Sequence, residues 1–122
     1  MSFAGWLWIA LGGALGSVLR AALGLLGQGR LVWATLAVNV LGSFAIGWLM
    51  ARLGALEPTM AARVHALGVV GFCGGFTTFS TFSWQTLDQL QRGQWAAALL
   101  NIMLSVSLCL VAVWFGYRFG RA

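Results

Sequence analysis

The sequence predicts an all-α integral membrane protein whose subunit crosses the bilayer four times. Three observations carry that prediction. Of 122 residues, 61% are hydrophobic and only 7% charged, against about a quarter charged in an ordinary soluble domain. The apolar residues gather in four runs, at about 3–26, 31–50, 66–84 and 95–119. Each is close to the roughly 20 residues a helix needs to cross a hydrocarbon core about 30 Å thick. The separators GQGR, ARLGALEPTMAARVH and QTLDQLQRGQ hold glycine, proline and charge, as connections at a membrane surface do. Residues 1–122 are therefore expected to form a single transmembrane domain with short loops.

The first run opens MSFAGWLWIALGGALG. No basic residue precedes it and it stays apolar too long for a cleaved signal, so it is read as the first membrane helix. Gly12 and Gly16 stand four apart, a spacing that lets helix backbones approach closely. Arg20 is followed by AALGLLG and so is not at the extreme edge. An arginine at the centre of a membrane helix costs about 2.5–3.5 kcal/mol on insertion scales, less where it snorkels. Two readings meet that cost: an interfacial anchor, or a fixed positive charge in a vestibule that attracts anions.

Asn39 lies inside TLAVNVLGSFAIG in the second run. A carboxamide in hydrocarbon must pair its donors and its acceptor, so it faces another helix or a water-filled path. Beyond this span, Pro58 beside Glu57 offers the N-terminal start of a short helical lead-in to the third.

The third run contains GFCGGFTTFSTFSW, residues 71–84. On a continuous helix Phe76, Phe79 and Phe82 would stack along one side, with Thr77, Ser80, Thr81 and Trp84 on the adjacent one. Phenyl rings carry a positive edge and hydroxyls donate hydrogen bonds, so both are weak ligands for a small anion. Weak ligands suit conduction, where an ion must leave as readily as it enters. Gly74 and Gly75 predict a helix break here, since glycine costs about 1 kcal/mol relative to alanine in a helix. Carbonyls freed around Gly74 and Thr77 could hold a monovalent cation. In the fourth run Asn101, Ser105 and Cys109 recur every four residues and share one polar face.

All seven basic residues are arginines, opposed only by Glu57 and Asp88, for a formal charge of +5. They are scattered singly, so no basic patch exists for nucleic acid. Four spans put both termini and the middle connection on one side, with Arg52, Arg63, Arg118 and Arg121. Arg30 and Arg92 lie on the other, joined by Arg20 if it reaches that surface. This is a weak positive-inside bias that leaves dual insertion open. Cys73 and Cys109 fall in apolar runs and read as packing residues. The single histidine, His65, has no second ligand or carboxylate beside it, so neither an enzyme nor a side-chain metal centre is expected. A proton-coupled multidrug transporter of four short helices would need a carboxylate embedded in the membrane; Glu57 and Asp88 both fall in connections. A purely structural membrane subunit would explain the glycines but not the coincidence of Asn39, the phenylalanines and the hydroxyls.

Taken together, GGALGSVLR, NVLGSFAIG, GFCGGFTTFSTFS and a polar-faced fourth span make the chain resemble the CrcB/Fluc fluoride channels along essentially its whole length. The resemblance implies an antiparallel, dual-topology homodimer of four-helix subunits in a bacterial plasma (inner) membrane, with two fluoride pathways that export cytoplasmic fluoride. It implies a structural sodium ion at the dimer interface, held by backbone oxygens of Gly74 and Thr77 at the third-helix break. It assigns Asn39, Phe79, Phe82 and Ser105 to the fluoride pathway and Arg20 to the vestibule. Thr78, Ser80, Thr81 and Ser83 fall in the family's polar third-span segment, and Asn101 in its fourth-span polar track. Three residues depart from the pattern: Asn101 where a tyrosine is common, Cys109 in place of a serine, and Gln85 at a position often acidic.

Overall fold

The computed structural model describes every residue from Met1 to Ala122 and is helical throughout. Helix α1 spans Phe3–Leu26; the Ser2 hydroxyl caps it by accepting from the Gly5 N–H at 3.3 Å. A tight turn follows, with Gln28 and Gly29 at positive φ, and α2 runs Leu31–Leu53.

The third span is the most elaborate. Helix α3 (Pro58–Val64) starts with Pro58 in its first turn, where a missing N–H costs nothing. The Glu57 carboxylate caps it by accepting from the N–H groups of Thr59 at 3.1 Å and Met60 at 3.2 Å. Those two bonds hold the Glu57 carboxyl below its ordinary value of 4.5. The chain then widens into π-helical winding over His65–Cys73, tightens again in α4 (Gly74–Phe76), breaks, and resumes as α5 (Phe79–Gln91). Helix α6 spans Trp95–Arg121.

Two expectations about the third span are corrected. Hydropathy places it at 66–84, but it runs Pro58–Gln91, 34 residues in all. Hydropathy marks the apolar part, whereas the helix continues through the more polar residues Thr86–Gln91. An Asp88–Arg92 ion pair at 2.9 Å, one turn apart, sits at its end. Likewise α2 and α6 extend to Leu53 and Arg121, with arginines in their last turns where the helix dipole favours them. The second correction is the site of the break. Gly74 is helical, at φ −63° and ψ −39°. The extended residues are Thr77 (φ −88°, ψ 158°) and Thr78 (φ −152°, ψ 115°).

The glycines are used for contact instead. A Cβ on Gly12 would collide with the Leu67 carbonyl, and one on Gly75 would lie 2.5 Å from the Gly13 oxygen. Helix α1 therefore runs backbone to backbone alongside the first half of the third span, and parallel to it. Helices α2 and α6 pair in the same way: Gly47 abuts the Val113 carbonyl and Gly116 the Phe44 carbonyl. In lipid there is no hydrophobic force between helices, so such close approach is a main source of cohesion. Only 20 of 122 residues are buried within the chain, which leaves the apolar exterior to lipid or to another subunit.

Candidate functional site

The site is built on the break, and hydrogen-bond accounting explains how the break persists. In a continuous helix the Thr78 N–H would bond the Gly74 carbonyl and the Thr81 N–H would bond the Thr77 carbonyl. Neither does. Thr78 N–H donates to Asn39 Oδ1 at 2.8 Å, and Thr81 N–H donates to the Thr78 hydroxyl, which caps α5, at 3.1 Å. Asn39 returns the contact, its Nδ2 donating to the Thr78 carbonyl at 3.1 Å. No turn, cap or side-chain bond reaches the carbonyl of Gly74 or of Thr77. The Gly75 carbonyl is satisfied from α1, by Arg20 Nε at 2.9 Å and the Ser17 hydroxyl at 3.4 Å.

Beside the break, α2, the third span and α6 enclose an open groove of about 550 Å³. It collects most of the residues singled out from the sequence: Asn39, Gly74, Thr77, Thr78, Phe79 and Phe82, with Ser105 and Cys109 from α6. The Phe79 and Phe82 rings lie 5.4 Å apart, tilted by 49°. Phe82 is 9% exposed while Phe79 is 77% exposed, so one ring lines the wall and the other stands free. Phe76 does not join them. The extended threonines interrupt the helical stagger, and Phe76 stacks on Phe72 at 5.5 Å instead; the expected three-ring column is thus a pair. Thr77 is likewise separated from Ser80 and Thr81, its hydroxyl donating back to the Cys73 carbonyl at 2.7 Å.

Past Phe82 the polar groups form a chain. Ser105 Oγ donates to Asn101 Oδ1 at 3.2 Å, Asn101 Nδ2 to Thr86 Oγ1 at 3.1 Å, and Thr86 Oγ1 to the Phe82 carbonyl at 2.8 Å. All three side chains are buried. A second cavity of about 200 Å³ lies across Thr78 from the groove, lined by Arg20, Thr81, Gln85 and Thr35. There Gln85 Nε2 donates to Thr35 Oγ1 at 3.0 Å, while its buried Oε1 has no partner. Arg20 lines this cavity and turns its Nε toward the break, onto the Gly75 carbonyl. Ser80 and Ser83 are not drawn in: Ser80 bonds the Thr78 hydroxyl and Ser83 the Phe79 carbonyl, and both are exposed.

Sequence reasoning misses Thr86, which falls in a connection by hydropathy, although its place one turn after Phe82 carries the signal. Gly42, which the sequence marks as a packing glycine, makes room for the Thr77 methyl group.

The chain matches the family described as CrcB-like protein, Camphor Resistance (CrcB), over residues 7–117. A fluoride-specific ion channel FluC from Opitutus terrae is 52% identical over 118 residues, 92% of this chain and 89% of the relative. One from a strain of Thermus thermophilus is 49% identical over 121 residues, 96% of this chain and 95% of the relative. One from Paramagnetospirillum magneticum is 47% identical over 115 residues, 89% of each. With four helices long and apolar enough to cross a membrane and this similarity along its length, the chain is a multi-pass membrane protein that belongs to the CrcB-like family.

Proposed function

We propose that this chain is the subunit of a fluoride-selective passive channel that lets cytoplasmic fluoride leave the cell and so limits its toxicity. The observation that carries the reading is the meeting of Asn39, Phe79, Phe82 and Ser105 along one groove beside a helix break. Fluoride is small and strongly hydrated, so a selective path must replace its water. Asn39 keeps one amide proton beyond its bond to Thr78, the ring edges of Phe79 and Phe82 supply positive quadrupole, and Ser105, which lines the groove, would have to turn its one proton from Asn101 toward the ion. None binds with the strength of an ammonium, so the ion is released as easily as it is taken up.

The Gly74 and Thr77 carbonyls, which no turn, cap or side-chain bond reaches, suit a hard monovalent cation. Oxygen dipoles at an unwound helix are the usual donors for such an ion inside a membrane, and Gly74 and Thr77 would hold it as sodium. The ion would supply fixed positive charge without a lysine in the path. Two carbonyls are too few to replace a hydration shell, and a second copy about a two-fold axis would double them. The groove is open on the same face, so a second subunit would close the path as well. We therefore read the assembly as a homodimer with a structural sodium at its centre; its antiparallel sense, its two pathways and its place in the bacterial inner membrane rest on the family resemblance. Neither carboxylate suits proton coupling: Glu57 caps a helix outside the membrane and Asp88 pairs with Arg92.

Fluoride efflux from liposomes containing the purified protein tests this, with chloride for comparison and sodium replaced by N-methyl-D-glucamine as a further arm. Rapid fluoride loss, no chloride loss, and independence from a proton gradient are expected. Vesicles that hold fluoride while the protein is folded and inserted would refute the reading.

A further inference from the structure

We propose that Asn39 and the Thr78 hydroxyl are positioning residues of the cation site, holding open the two carbonyls that sodium would need. The inference rests on the sodium reading above and adds how the chain builds that site. A helix that merely loosened at Thr77 and Thr78 would re-form its bonds, because an unpaired N–H in hydrocarbon costs several kcal/mol, on the order of 2–7. Here two of the four N–H groups that would close the helix across the break are already satisfied, Thr78 N–H by the Asn39 carboxamide from α2 and Thr81 N–H by the Thr78 side chain, while the Gly75 carbonyl that Phe79 N–H would need is taken by Arg20 and Ser17. The carbonyls that Thr78 and Thr81 would otherwise engage are those of Gly74 and Thr77, and both residues line the groove. Gly74 has nothing within 4 Å of its absent Cβ, so no side chain screens it on that side. Asn39 therefore serves two ions: its carboxamide oxygen keeps a carbonyl free for the cation, and its remaining amide proton faces the anion groove.

The test titrates sodium into the purified full-length protein in detergent, from a sodium-free N-methyl-D-glucamine buffer, and follows the midpoint of thermal unfolding. The quantity read is the sodium concentration giving half of the sodium-dependent rise. Thr78→Val, which keeps shape but removes the cap acceptor, should raise that concentration at least about tenfold. Asn39→Ala should do the same. Thr78→Ser, which retains the acceptor, should stay within about twofold of the unmodified chain. If Asn39→Ala does not fold, the nearly isosteric Thr78→Val still decides. A sodium response in Thr78→Val equal to that of the unmodified chain overturns the inference and leaves the sodium reading standing. Absence of any sodium response in the unmodified chain removes the sodium reading, and this inference with it.

Discussion

Phe79 and Phe82 differ sharply in exposure although they are neighbours at the groove, and that asymmetry says what each ring can do. Phe82 is fixed by the wall around it, while Phe79 is held by little within the chain. Replacing both with isoleucine keeps apolar bulk but removes the ring edges. Fluoride efflux from liposomes should then fall at least about tenfold, an interaction of roughly 1.4 kcal/mol, with the oligomer intact by size exclusion. Unchanged efflux would remove these rings from the mechanism. Arg20 makes a different contribution. Its Nε satisfies the Gly75 carbonyl, so Arg20→Met, which keeps the apolar stem, should lower stability by about 1.5–3 kcal/mol, read by thermal or denaturant unfolding. Asn39 and Ser105 are legible in the sequence because a polar group in hydrocarbon is conspicuous. The Asn39–Thr78 contact is not, since its two residues lie 39 apart and nothing local pairs them.

At the scale of elements the four spans are legible from length and hydropathy, whereas glycine content misplaces the break by about one helical turn. Glycine propensity points to Gly74–Gly75, yet Gly74 stays helical and Gly75 packs on Gly13. The opening falls where side-chain partners capture the N–H groups, at Thr77 and Thr78. Glycines here mark close helix crossings, and a contrast tests it. Gly116→Val would drive a side chain into the Phe44 carbonyl and should abolish monodisperse folded protein on size exclusion. Gly24→Ala, with open space around it in α1, should raise stability by roughly 0.5–1 kcal/mol. Acid should loosen α3 first. Ionised Glu57 is held below its ordinary value by the N–H groups of Thr59 and Met60. Its stabilisation is complete above pH 4.5 and is lost as pH falls through the lowered folded value. Glu57→Gln should flatten the dependence of the melting midpoint on pH across that acidic window.

At the scale of the whole molecule, the proposed dimer rests on what one chain leaves open. The chain buries few of its residues, leaves Phe79 exposed and has an open groove beside the break, and under the proposal above a second copy would enclose that groove. Charge leaves the direction of insertion weakly set. Arg20 is committed to the break, so the count is Arg52, Arg63, Arg118 and Arg121 against Arg30 and Arg92. Antiparallel pairing requires such near balance, because each chain must insert both ways. The absence of lysine makes this measurable. All seven basic residues are arginines, so Gly54→Lys, in the α2–α3 connection where nothing lies within 4 Å, introduces a single side-chain amine on the same side as both termini. A membrane-impermeant amine reagent should label about half of the chains in intact spheroplasts and about half in inverted vesicles, as equal insertion demands. Labelling confined to one preparation would mean that every subunit points the same way. The two pairs of Gly74 and Thr77 carbonyls could then not face each other across a two-fold axis lying in the membrane plane, and the central cation would lose its geometric basis.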